Sequence, residues 1–222
     1  MTCGMLEAVE LYRFYHAKEA ETFALRGVSL RLGAGEIVVV TGPSGSGKST
    51  LLACLSGLDE PDGGHVVLMG QRLTRRSETE RASIRARHIG ILLQAGNLFE
   101  HLTVENNIRL QMLLAGKPDA GRLAHLLDIL GLGTLRSALP AQLSGGETAR
   151  AGLAVALAAA PDVLLADEPT AEVDALTEAR ILELLARRRR QGKATLIATH
   201  SKAVAECADR RLFMQDGRLA EA

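Results

Sequence analysis

Four short apolar runs, each closed by a turn or a polar residue, punctuate the chain at 37–41, 89–93, 163–166 and 194–199. Runs of this length without polar alternation predict strands buried on both faces, as in a parallel sheet covered by helices. Between them, apolar residues recur at helical spacing, as in Leu176, Ala179, Ile181, Leu182, Leu184 and Leu185 behind the N-cap candidate Asp174. Residues 95–160 read as mainly helical, first through Leu102, Val104, Ile108, Leu110, Met112 and Leu113, then through Leu123, Leu126, Leu127 and Leu130 up to Gly131. The pattern predicts an α/β fold with a mostly parallel sheet core and an inserted helical lobe. Turns at Gly63-Gly64 and Asp216-Gly217, next to apolar runs, predict antiparallel ribbons that form a small flanking sheet. One domain spanning residues 1–222 accommodates all of these elements.

Composition narrows the partners. With 47% hydrophobic residues there is material for a well-buried core, and 26 Lys and Arg against 26 Asp and Glu leave no overall positive field, so nucleic acid is not expected. The run Arg187–Arg190 closes a predicted helix, where cations favour the dipole, and reads as a solvated helix end. Cys3, Cys54 and Cys207 stand in no metal-ligand spacing and are expected as free thiols in a reducing compartment. No export-signal pattern opens the sequence, and the longest apolar run, Ala151 to Ala160, falls well short of the roughly 20 residues of a membrane helix. A cytoplasmic chain that does not itself cross a bilayer is the expectation.

The residues Gly42, Pro43, Ser44, Gly45, Ser46, Gly47, Lys48, Ser49 and Thr50 follow the apolar run Ile37–Val40, where a phosphate-cradling loop belongs between a buried strand and a helix. Glycines let successive backbone N–H groups turn inward around an anion. Lys48 then reaches the β and γ phosphates, the Ser49 hydroxyl is placed to ligate Mg²⁺, and the helix start adds its own free amides and positive dipole end. The chain is therefore expected to bind a nucleotide.

Val163–Pro169 reads as a buried strand ending in two adjacent carboxylates that leave it in different directions. Asp167 is the candidate for holding Mg²⁺ through its water shell, and Glu168 for polarising the water that attacks the γ phosphate. His200 ends another apolar strand at the carboxyl edge where ligands collect in open α/β sheets, and Gln94 ends a third. The imidazole of His200 could contact the γ phosphate or the attacking water, and the Gln94 amide oxygen could approach Mg²⁺. Leu143–Glu147 precedes a long helical stretch at 148–160, with Ser144 as a natural N-cap, so a second helix start able to face an anion is present.

Taken in order, Gly42–Thr50, Gln94, Leu143–Glu147, Val163–Pro169, Asp174 and His200 resemble the ATPase subunits of ABC transporters, over essentially the whole chain. The resemblance implies a RecA-like P-loop NTPase core, ATP and Mg²⁺ as cofactors, Gln94 as the Q-loop glutamine and a metal contact, Asp174 as the D-loop aspartate and His200 as the switch histidine. It implies that Tyr15, ten residues before Leu25, stacks on adenine. It also implies a homodimer packed head to tail, in which Ser144, Gly145 and Gly146 of one copy complete the nucleotide site of the other, so that closure and chemistry are coupled.

The segments Asn97–Phe99, Leu102–Asn106 and Leu165–Thr170 look most like the branch of lipoprotein-release, macrolide-export and cell-division ATPases. Members of that branch work with separate membrane permeases, which places the chain on the inner face of the membrane. Leu98, Phe99 and Leu102 are then candidates for the groove that receives a permease helix, with helical-lobe core as the alternative. Thr148-Ala149 and Ala171-Glu172-Val173 depart from the branch pattern at the expected dimer contact. A regulatory ATPase that transmits force without transport remains an alternative, whereas a small-molecule P-loop kinase leaves Leu143–Glu147 and Asp167–Pro169 without a role.

Overall fold

The computed structural model describes residues 4–17, 20–171 and 173–221. Cys3 and Glu172 lie outside the described residues. Two sheets sandwich one helix. A four-stranded antiparallel sheet has the order β2 (Ala20–Leu32), β1 (Leu6–Ala17), β4 (Gly63–Leu68), β5 (Gln71–Arg72). The larger, six-stranded sheet has the order β10 (Arg218–Glu221), β9 (Arg210–Gln215), β3 (Ile37–Thr41), β8 (Ala194–Ala198), β7 (Val163–Asp167), β6 (Ile89–Leu92). All its pairings are parallel except the β9–β10 hairpin.

The four apolar runs are four consecutive strands of this sheet, β3, β8, β7 and the edge strand β6, and their side chains divide by parity. Val38, Val40, Val163, Leu165, Leu196 and Ala198 face a core shared with α1 (Lys48–Leu55) and the antiparallel sheet. Ile37, Val39, Leu164, Ala166 and Ile197 face the opposite core. That second core is filled by α3 (Val104–Leu114), α4 (Ala120–Ile129), α5 (Gly145–Leu157) and α6 (Ala175–Arg190). Period-two alternation with both parities apolar is what a strand needs when both of its faces are covered. The helical lobe has no separate interior, because its buried leucines merge with the sheet's own.

Three expectations are corrected. Gly63 and Gly64 belong to β4 itself rather than to a turn before it. The Asp216-Gly217 hairpin joins the edge of the parallel sheet, not the flanking antiparallel one. The arginine run does end α6, but Arg188 is buried, 5% exposed, and donates to the carbonyls of Pro161 and Ala194, each at 3.3 Å. Helix α2 (Glu78–His88), with no buried residue, carries a capping box between Ser77 and Glu80. Helix α7 (Lys202–Glu206) follows β8. Cys54 is buried, which pushes its thiol up to about 12, and Cys207 is exposed; both are free. Among the described residues, no helix is long and apolar enough to cross a membrane.

Candidate nucleotide site

The loop after β3 is wedged between two backbones. A Cβ on Gly42, at φ 146°, would run into the Met214 carbonyl on β9, and one on Gly47, at φ 109°, into the Ala24 carbonyl on β2. The Gly217 N–H ties the β9–β10 hairpin to the Ser46 carbonyl at 3.0 Å. Gly47 is the N-cap of α1 and brings no side chain to its amides, and no acidic residue occupies the first turn. The free N–H groups and positive dipole end of α1 therefore face the loop. Lys48 Nζ donates to the carbonyls of Gly42 at 2.7 Å and Pro43 at 2.9 Å, so its charge lies over the concave side of its own loop.

This geometry separates two glycines that look alike in sequence. Gly45 also has positive φ, 77°, but nothing lies within 4 Å of a Cβ built there. Gly45→Ala is expected to cost about 1 kcal/mol through backbone strain alone, and Gly42→Ala several kcal/mol because a carbonyl must move as well. Urea denaturation of the two variants measures the difference; equal midpoints would show that the Met214 contact does not constrain the loop.

Strand register gathers the remaining candidates. Val40 pairs with Ala198, Ala198 with Asp167, and Ala166 with Leu92, so Gly42, His200, Glu168 and Gln94 all emerge at the same carboxyl rim. Ser49 Oγ donates to Asp167 Oδ2 at 2.7 Å, and Asp167 is only 7% exposed. Glu168 sits in the left-handed region at φ 49°, held by its N–H to the Ala198 carbonyl at 2.9 Å. Its carboxylate accepts from Thr199 Oγ1 at 2.8 Å and from the His200 N–H at 3.0 Å, with His200 Nε2 3.9 Å away. Gln94 is exposed in the bend beyond β6. Asn97 braces that bend, accepting from Leu93 N at 2.8 Å and donating to Leu93 O at 2.6 Å.

Tyr15 stands on β1, 40% exposed, and its hydroxyl donates to Asp59 Oδ2 at 2.8 Å. The Arg13 guanidinium lies 4.8 Å from the centre of the Tyr15 ring and pairs with both Asp59 oxygens at 2.9 Å. Burial and then the Asp59 bond raise the phenol above its ordinary range, while the Thr50 hydroxyl acts in the other direction. That contact sets Tyr15 beside the helix that follows the phosphate loop.

Ser144 caps α5 in a reciprocal box. Its Oγ accepts from Glu147 N at 3.4 Å, and the Glu147 carboxylate accepts from Ser144 N and Oγ at 2.8 Å each, which holds that carboxyl below its usual range. Helix α5 runs antiparallel to β6. A Cβ on Gly90 would strike the Ala156 carbonyl, and one on Gly152 would lie 3.0 Å from Leu92 and from Asn97. The amino end of α5 therefore projects past the rim at the far edge of the sheet, three strand positions from β3. Among the described residues, no hydrogen bond or ion pair joins Ser144–Glu147 to Gly42–Thr50. One chain thus brings together Gly42–Thr50, Asp167, Glu168, His200 and Tyr15, and leaves Ser144, Gly145 and Gly146 apart. Asp174 is exposed at the N-cap of α6, where the Thr177 N–H and then its hydroxyl lower its pKa. Leu98 packs into the lobe core, whereas Phe99 is 55% exposed.

Thr199, Asn97, Arg13 and Asp59 are positioning residues that sequence reasoning passed over. Thr199 and Asn97 had a local signal, as polar residues one and five positions from a strand end. Arg13 and Asp59 had none, since 46 residues separate them.

A glycine loop at a helix start, with a hydroxyl and two carboxylates at the next strand ends, defines a P-loop nucleoside triphosphatase site. Comparison with known proteins narrows the class. The profile described as ABC transporter matches residues 25–171. The chain is 45% identical to the uncharacterized ABC transporter ATP-binding protein YbbA of Escherichia coli K12, over 98% of this chain and 97% of that one. It is 41% identical to the lipoprotein-releasing system ATP-binding protein LolD 1 of Rhodopirellula baltica, over 97% and 96%. A dimeric ATP-binding cassette in a post-hydrolysis state with ADP and Pi superposes with a TM-score of 0.92, at 32% identity and over 98% of both chains. The chain belongs to the ABC transporter family. It is an ATP-hydrolysing, nucleotide-binding subunit of a transporter.

Proposed function

We propose that residues 1–222 form a single ATPase domain that works as a homodimer on the inner face of the membrane, driving a separate permease by closing around two molecules of ATP. The carrying observation is the split site: the phosphate loop, Asp167 and Glu168 share one rim, while Ser144 caps a helix packed on the edge strand β6, three strand positions from the strand that carries the loop. A second copy packed head to tail would bring Ser144, Gly145 and Gly146 against the γ phosphate. The LolD, YbbA and dimeric-cassette relatives support this reading.

Within each site, the amides of Gly42–Thr50 and Lys48 bind the phosphates. Lys48 exchanges its two carbonyl contacts for phosphate oxygens. Tyr15 stacks on adenine. The donor set suits Mg²⁺, because the Ser49 hydrogen already points at Asp167 and leaves an oxygen lone pair for the ion. Among the described residues no group of three or more His, Cys, Asp or Glu could hold a metal, which fits an ion coordinated mostly by phosphate and water. Bound there, Mg²⁺ would neutralise charge developing on the phosphate oxygens. Gln94 would reach the ion from the β6 side, and Asp167 would hold its water shell. Glu168 orients and polarises the attacking water, and His200 lies beside it to contact the γ phosphate. Asp174 lies on the proposed contact between copies.

Turnover per chain is expected to rise with chain concentration in the micromolar range and to vanish with a chelator in excess of magnesium. Concentration-independent turnover at full rate would refute the shared site. The stacking role has its own test. Arg13→Ala removes the guanidinium from the Tyr15 ring, worth about 0.5–2 kcal/mol, so KM for ATP is expected to rise about two- to thirtyfold with kcat little changed. An unaltered KM would remove the Arg13 and Tyr15 pair from adenine binding.

A further inference from the structure

At the opposite, amino-terminal rim of the parallel sheet, cations crowd a second cavity. It has a volume of about 90 Å³ between α4, the end of α5 and the end of α6, and Arg122, His125, Arg187, Arg188 and Lys193 line it. Apart from Asp162, 3.9 Å from Lys193, their partners carry no negative charge. Arg122 donates to the carbonyls of Leu157 at 2.6 Å and Ala158 at 2.8 Å. Lys193 donates to those of Ala160 and Pro161, and Arg188 to those of Pro161 and Ala194. Arg188 Nε is buried with no partner. Among the described residues, no carboxylate lies within 4 Å of Arg122, Arg187 or Arg188. The nearest acids are committed elsewhere: Asp162 is bonded to His88 Nδ1 at 2.7 Å and stands 3.9 Å from Lys193, and Asp119 caps α4.

The carbonyls at the end of α5 offer about half a negative charge, against at least three full positive charges turned toward one cavity. Burial and mutual repulsion both disfavour the charged forms. The Arg188 guanidinium falls to about 10, first through burial and then through Arg122, and burial lowers Lys193 and Arg122 as well. A structural cap for one helix end does not require this excess.

We propose that this cavity is a second anion site, seating one phosphoryl group of a small phosphorylated molecule or of a lipid headgroup. Its volume equals about three water molecules, enough for a phosphoryl group but not for a nucleotide. Arg187, together with the donors of Arg122, Arg188 and Lys193 that the carbonyls leave unused, Arg188 Nε among them, supplies N–H groups from several walls, which suits a tetrahedral dianion better than a planar monoanionic carboxylate. The exposed pair Arg187 and His125, 3.4 Å apart, forms the mouth through which the rest of the ligand would leave.

Inorganic phosphate is the probe, titrated calorimetrically into chain saturated with ADP so that the nucleotide loop is filled. Saturable binding at one site per chain is expected, weakened at least tenfold by Arg187→Glu and by Arg122→Gln. Arg187 makes no bond to the α5 carbonyls, so its variant stays informative if Arg122→Gln unfolds. Binding is expected to survive in Ser144→Arg, which separates this site from a product position between two copies. No saturable binding by the wild type, or equal affinity in wild type and Arg187→Glu, would overturn the proposal. Sedimentation with phosphatidylcholine vesicles containing phosphatidic acid, dependent on Arg187, would assign the phosphoryl group to a lipid, and its absence alongside phosphate binding to a soluble molecule. A polyglutamate peptide that binds more tightly than phosphate would overturn it in favour of a protein partner.

Discussion

The Glu168→Gln chain is expected to bind ATP as the wild type does and to hydrolyse it about 10²–10⁴ times more slowly, the usual contribution of a positioned general base. The geometry makes this substitution unusually clean. Glu168 accepts one hydrogen bond from a backbone N–H, that of His200, and one from a hydroxyl, that of Thr199. A glutamine oxygen can still accept from the N–H, and the hydroxyl can reverse and accept from the new amide. Backbone strain at φ 49° is the same for both residues, and the bond from residue 168 N to the Ala198 carbonyl is untouched. What disappears is the negative charge facing the γ-phosphate position, and with it the means of polarising water. Equilibrium binding of ATP together with steady-state phosphate release measures the two halves separately. Undiminished release would remove Glu168 from its role, and lost binding would mean that the carboxylate supports the fold rather than the chemistry.

Which parts of this molecule could be read from sequence follows from the range over which each signal acts. The central strands announced themselves because burial on both faces forces consecutive apolar residues, and the register that gathers the rim residues follows from strands of nearly equal length. The antiparallel sheet was largely missed. Its longest pair, β1 with β2, slips register in three places, which breaks the alternation that would mark two half-buried strands. Helix α2 has no fully buried residue and meets the core through Ile84, so it has no apolar stripe, and only its capping box and its acidic-to-basic charge order betray it. Arg188 looked like part of a solvated run because its partners, the carbonyls of Pro161 and Ala194, are backbone groups that leave no trace in side-chain pattern. The brace around Tyr15 joins residues 44 and 46 positions apart, beyond the reach of periodicity or spacing. The nucleotide loop was legible for the opposite reason. All of its chemistry is local, and each glycine stands where a neighbouring backbone or a positive φ requires it.

A dimer with shared sites makes a stronger demand than a dimer of complete sites, and two inactive chains can tell them apart. Lys48→Ala removes the phosphate-binding charge from one rim, and Ser144→Arg places a bulky cation at the amino end of α5, so each variant alone is expected to lose at least about 99% of its turnover. Losing the Ser144 cap costs only about 1 kcal/mol, and nucleotide binding by the Ser144→Arg chain checks that its fold and phosphate loop remain intact. If a site takes its loop from one copy and its cap from the other, a mixed dimer of the two variants contains one site broken twice and one wholly intact. Random mixing makes half of the dimers mixed, so about a quarter of the wild-type number of sites should reappear when two inactive preparations are combined. A chain carrying both substitutions, mixed with wild type, should form no working site in any dimer it enters, because each interface then lacks either Lys48 or Ser144. Sites complete within a single chain reverse both outcomes: two inactive preparations stay inactive together, and wild type keeps its full activity beside the double variant. The placement of Ser144 three strand positions from the loop it would serve favours the first pattern. Phosphate release before and after mixing, at concentrations where the chains are dimeric, decides between them.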